Sequence, residues 1–145
     1  MVALKGWSYL PRDGVVGPRT RNALARSRLP APWSTATGFE IHVAQQVLLL
    51  VRRRRVERAI HVSTGAGGRT PLGHFRIDRR DPMSWSASFH VWMPLAQYFD
   101  RGYAMHEFGA VPPYPASHGC VRVPQAESRA VWQFGAVGMR VWTRP

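Results

Sequence analysis

The chain's single cysteine, Cys120, closes a proline-rich stretch holding Pro112, Pro113 and Pro115, with Gly119 beside it and His118 two positions before it. A thiol becomes a nucleophile only when a base or a positive neighbourhood draws off its proton. Three such groups stand near it in sequence: His106, His118 and Arg122. In an extended segment His118 would share a face with Cys120 but lie about 6.6 Å away along the strand. Direct proton transfer needs ~2.6–3.2 Å. A histidine on a neighbouring element is therefore the better base, and His106 is far enough upstream for a loop to bring it back. Each residue also has a plain structural alternative. Cys120 reads equally as a small buried hydrophobe, His106 as a half-buried strand residue and His118 as a brace for the turn. Gly119 lets a substrate approach the backbone. The N–H groups of Gly119 and Cys120 are candidates for the oxyanion site that attack on an amide requires.

Other chemistries find less support. His74, His90, His106 and His118 contain no pair at helical i, i+4 spacing, so no zinc pattern is present and no metal or cofactor is expected. The Gly-rich stretch 63–68 lacks the Gly-Lys-Ser/Thr ending of a phosphate loop. The net charge is +12, and Lys5 is the only lysine beside nineteen arginines. That balance suits an anionic wall polymer, lipid or nucleic acid, and equally a solvated surface. The run Arg52, Arg53, Arg54, Arg55 falls where a hairpin should turn, and no zinc-finger, helix-turn-helix or RNP signature accompanies it. No specific nucleic-acid partner is expected. One cysteine forms no internal disulfide. The most apolar run, 47–51, is strand length, far short of the ~20 residues of a membrane span, and no transmembrane segment is expected. No apolar segment of secretory type follows Met1.

These groups need a scaffold. Residues 1–28 read as a helical fragment: a turn at Asp13-Gly14, then a helix over 18–28 with Pro18 in its first position. Prolines and small polar residues make 29–37 a linker. Beyond it Phe39, Ile41 and Val43 alternate with polar residues as in a half-buried strand. Residues 47–52 and 56–63 pair as a hairpin around the arginines. Further strands are expected at 75–78, 86–93, 103–107 and 139–143, the third of these delivering His106. A helix is expected over 124–134. The sum is a mainly β fold, mixed sheets or a β-sandwich with one or two helices, preceded by a short helical N-terminal remnant.

Ser117-His118-Gly119-Cys120-Val121-Arg122, with His106 upstream, resembles the signature of the L,D-transpeptidase (YkuD-type) catalytic domain. Ser63-Thr64-Gly65 and Thr70-Pro71-Leu72-Gly73-His74-Phe75 resemble the same family, as does the strand order from Phe39 onward. Residues 3–28 look like the latter part of a peptidoglycan-binding module. The expected organisation is a partial binding module at 1–28, a linker at 29–37 and a catalytic domain at 38–145, Met1 lying inside a longer natural chain.

The resemblance implies a YkuD-like sandwich and acyl transfer through Cys120, with His106 and His118 as the other catalytic residues. Tetrapeptide stems of peptidoglycan would be the substrate, D-Ala the leaving group and carbapenem-type β-lactams the inhibitors. Ser117, Gly119, Arg122, Glu107 and Tyr103 would serve the oxyanion, the substrate or the bracing of the loop, with Trp92 and Tyr103 lining the cleft. The family usually has Gly where Glu107 follows the upstream histidine. The Glu107 carbonyl can still orient His106, while its side chain would instead crowd the cleft or alter the histidine pKa. An extracytoplasmic location is implied. A carboxypeptidase that hydrolyses the stem, and a non-catalytic wall-binding module, are the alternatives.

Overall fold

The computed structural model describes residues 1–27 and 30–145. Nine strands and three α-helices follow in order: α1 (Val2–Trp7), α2 (Pro18–Ala25), β1 (Gly38–His42), β2 (Val47–Arg52), β3 (Arg55–His61), β4 (Gly73–Arg76), β5 (Arg79–Ser86), β6 (Val91–Asp100), β7 (Tyr103–Phe108), β8 (Val121–Pro124), α3 (Gln125–Phe134) and β9 (Arg140–Arg144). The strands form a five-stranded sheet ordered β3-β2-β1-β9-β4 and a four-stranded sheet ordered β5-β6-β7-β8. Each contains one parallel pair, β1 with β9 and β7 with β8. The expected mainly β, mixed-sheet sandwich is what forms. The division expected between 28 and 29 falls on residues outside those described.

One core lies between the sheets. Phe39, Ile41, Leu48, Leu50 and Val141 from the first meet Phe99, Met105, Val121 and Val123 from the second, and α3 adds Val131. The first sheet is covered on its other face as well. Val47, Leu49 and Val51 pack under Ala3 and Trp7 of the N-terminal helix. This explains the uninterrupted apolar run of β2, since a strand buried on both faces has no reason to alternate. It also corrects the half-buried reading of β1. Glu40 is only 2% exposed, its carboxylate taken by the N–H groups of Trp33 and Ser34.

The β2–β3 hairpin turns at Arg53 and Arg54, both at positive φ (46° and 68°), as a two-residue hairpin turn demands. The strand expected at 86–93 is instead the tip of a longer hairpin, in which β5 and β6 pair from Arg79↔Tyr98 to Ser86↔Val91 around residues 87–90. Pro82 lies in β5 and Pro94 in β6, and proline donates no ladder hydrogen bond. Both are tolerated because β5 is an edge strand and the pairing of β6 with β7 begins only at Gln97. The helix begun by Pro18 stops at Ala25. The helix over 124–134 forms as α3, with Pro124 as its N-cap.

Candidate active site

Strand alternation decides which side chains meet. In β7, Met105 faces the core, so Ala104, His106 and Phe108 project from the opposite, outer face of the four-stranded sheet. In β8, Val121 and Val123 face the core, and Arg122 projects outward with Cys120 just before it. The parallel register sets His106 opposite Arg122. Cys120 then falls opposite Ala104 and packs against the cluster of Met93, Ala96, Tyr98 and Ala104. The sulfur and the imidazole thus stand on adjacent strands, on one face, two residues apart in register.

His106 is 5% exposed. Its Nδ1 lies 2.8 Å from the carbonyl oxygen of Glu107. A carbonyl only accepts, so Nδ1 carries the proton and Nε2 keeps its lone pair. The Glu107 side chain turns the other way, and its carboxylate accepts a hydrogen bond from Ser128 Oγ on α3 at 2.5 Å. The side chain thus points away from His106, and only the Glu107 carbonyl acts on the imidazole.

Burial lowers the His106 pKa below the ordinary imidazole value, against the Glu107 hydrogen bond that raises it, and the nearby Arg122 charge lowers it further. Burial also raises the Cys120 pKa, opposed by the Ala104 backbone N–H and by Arg122, both of which favour the thiolate. Both shifts favour the uncharged forms. The Arg122 guanidinium lies 4.3 Å from the centroid of the Phe108 ring. Among the described residues it has no carboxylate partner.

The loop that presents Cys120 is fastened from several sides. Ser63 and Arg122 exchange backbone hydrogen bonds at 3.1 and 2.9 Å. The Thr64 carbonyl accepts from Ala116 and Ser117, and Ala66 N–H donates to the Ser117 carbonyl. Thr70, 1% exposed, accepts from Gly65 N–H and donates to the Gly119 carbonyl, both at 2.8 Å. Ser117 Oγ accepts from Gly119 N–H at 3.0 Å and donates to the Cys120 carbonyl at 2.5 Å. The Gly119 N–H is therefore committed within the loop, which removes it from the pair of amides expected at an oxyanion site. Gly119 has φ +137°, and any Cβ there would run into the Tyr103 ring. Only glycine satisfies both conditions.

His118 and Cys120 do not lie along an extended segment, because residues 118–120 form a bend. His118 is exposed and stacks on Phe89 at the hairpin tip, with ring centroids 4.3 Å apart. Trp92 pairs with Trp85 across the hairpin. It is the immediate neighbour of Met93, which packs on the Cys120 side, so it occupies the other face rather than lining the thiol's surroundings. Tyr103 packs against the core. The sequence reading missed Gln46, 1% exposed at φ 53°, whose amide holds both Thr64 Oγ1 (2.6 Å) and Thr64 N–H (2.8 Å). A lone glutamine in a turn carries no signal for that clamp. No group of three or more potential metal ligands occurs among the described residues. No helix among them is long and apolar enough to cross a membrane.

Comparison with known proteins gives a consistent result. The L,D-transpeptidase catalytic domain family, YkuD, matches residues 37–142. A crystal structure of an L,D-transpeptidase (residues 123–326) from Xylanimonas cellulosilytica DSM 15894 is 37% identical, with TM-score 0.91 over 98% of this chain and 77% of that one. An L,D-transpeptidase from Stackebrandtia nassauensis shares the fold at 24% identity, TM-score 0.75, over 97% of this chain and 73% of that one. So does the L,D-transpeptidase LdtMt1, solved in complex with imipenem, at 16% identity and TM-score 0.69, over 73% of this chain and 57% of that one. No curated protein matches the chain.

Proposed function

This chain belongs to the L,D-transpeptidase catalytic domain family, and from that premise we propose that it joins peptidoglycan stems through a Cys120 thioester. The observation that carries the reading is the pairing across β7 and β8: a sulfur two residues in register from an imidazole on the same face, whose Nδ1 is tied to a carbonyl. That tie leaves Nε2 as the nitrogen able to take a proton.

Cys120 gives its proton to His106 Nε2 as sulfur attacks the carbonyl between the third and fourth residues of a tetrapeptide stem. The resulting oxyanion is met by the Cys120 N–H, since that of Gly119 is engaged by Ser117. Collapse breaks the amide bond, and His106 returns its proton to the departing amine of D-Ala. The thioester passes to an amine of a second stem, whose proton goes to His106 and then to the leaving thiolate. Arg122 stabilises the developing thiolate, in keeping with its effect on the Cys120 pKa. His118 holds the hairpin tip against the loop through Phe89. The substrate places the working enzyme outside the cytoplasm. Carbapenems acylate the same sulfur, a step supported by the imipenem complex of the relative.

The test is release of D-Ala from purified tetrapeptide stems. The parent is expected to release it and Cys120→Ala to lose it by several orders of magnitude. Imipenem should add its mass to the parent alone. Equal D-Ala release by both proteins overturns the proposal. Free tripeptide in place of linked stems would assign hydrolysis instead of transfer.

A further inference from the structure

We propose that the outer face of the five-stranded sheet holds a second site, an anion cleft that binds the phosphate of a small phosphorylated sugar or polyol. The β4–β9 pairing sets His74 opposite Trp142 and Arg76 opposite Arg140. Phe75 and Val141, between them in sequence, point into the core, so these four side chains project outward. They line a cleft of about 390 Å³, the size of a single small-molecule site. It lies across the core from the face that carries Cys120.

Its electrostatics are unresolved within the chain. Two arginines directly opposite on neighbouring strands repel. Among the described residues neither has a carboxylate in ion-pair reach. Glu40 shares this face, one strand away opposite Trp142, but its carboxylate is occupied by Trp33 N–H, Ser34 N–H and His42. Arg76 uses one nitrogen on the Gly138 carbonyl at 2.9 Å and keeps its other donors. A third cation is near: Arg144 stacks on Trp33, which meets His74 edge-on at 6.0 Å.

The floor is aromatic. Gly38 lies opposite Arg140, and any Cβ there would collide with the Trp142 ring. Paired guanidinium forks match phosphate oxygens, and the edge of Trp142, 8% exposed, gives a sugar or polyol body a narrow apolar contact. The inference does not depend on the acyl-transfer reading, because no residue of the cleft belongs to that site.

Titration calorimetry of the full chain with glucose 1-phosphate at low salt should show saturable one-to-one binding, with glucose silent. Arg76→Gln and Arg140→Gln should each weaken it by about tenfold while melting no lower than the parent without ligand. Arg76→Glu converts the repelling pair to an ion pair, so it keeps the fold and should abolish binding. Equal affinity in the parent and Arg76→Glu overturns the proposal. Absence of saturable binding does the same, as does binding of phosphatidylglycerol vesicles without binding of the soluble ester.

Discussion

At the scale of single residues, the proposed nucleophile and base are shifted in opposite senses: burial pushes the Cys120 pKa up and the His106 pKa down. The sign of the pH dependence follows. A base works only when unprotonated, and a lowered pKa keeps it so to lower pH. Acylation by imipenem should therefore fall only below the ordinary imidazole range. Arg122 lowers both pKa values. Arg122→Gln should move the acid limb up toward the ordinary range and slow acylation, within about tenfold because a single part-exposed charge is worth ~1 kcal/mol. Stopped-flow acylation across pH checks this, and an unmoved acid limb would confine Arg122 to its packing on Phe108. Cys120 and His106 were candidates from residue type and spacing, and the parallel β7–β8 pairing sets them on one face. The direction of the Glu107 side chain was legible in principle too: in a strand it must face opposite His106. What the sequence did not reveal was its partner, Ser128, which comes from a helix that only the fold brings near.

At the scale of elements, the presenting loop is held by the segment 63–70, and the key contact is Thr70. Its hydroxyl serves a donor on Gly65 and an acceptor on Gly119 at once. Thr70→Val keeps the shape and strands both buried groups, at about 1–3 kcal/mol each. Chemical denaturation should show a loss of about 2–6 kcal/mol. Acylation of Cys120 should slow more than in Thr70→Ser, which retains the hydroxyl. Equal acylation rates in the Val and Ser variants would reduce Thr70 to a stability role. Residues 63–65 and 70–75 resemble blocks of the family, yet their position against the loop was not readable, because the bridging bonds span about fifty residues of sequence. The β5–β6 hairpin was hidden for a different reason. Its tip, residues 87–90, has no Gly, Pro, Asn or Asp to mark a turn, and His90 takes the positive φ of 49° instead. Leu95, at φ 54°, also interrupts the strand whose alternation would have announced it.

At the scale of the whole molecule, the N-terminal segment behaves as a cover rather than as a separate body. A piece this short cannot bury a core of its own, and two of its apolar residues pack on the sheet. Trp7 and Ala3 lie on Val47, Leu49, Val51 and Val56, while the Lys5 ammonium, 3% exposed, is held by Asp13 and the Val15 carbonyl. We expect this segment to be part of the folding unit, whatever its ancestry. Trp7→Ala, at a part-buried site, should cost about 2 kcal/mol, a fall of several degrees in Tm. Removing residues 1–27 would expose the apolar outer face of β2, whose side chains at 47, 49 and 51 are fully buried. An exposed face of that kind drives association, so the shortened chain should elute as aggregates in size-exclusion chromatography. If residues 38–145 alone stay monomeric and melt with the parent, the helices are an accessory module joined by a linker. The charge balance does not prejudge the outcome, because a net charge of +12 favours solubility and works against the predicted aggregation. Observing it despite that repulsion would show how much of the sheet's stability rests on the first two helices.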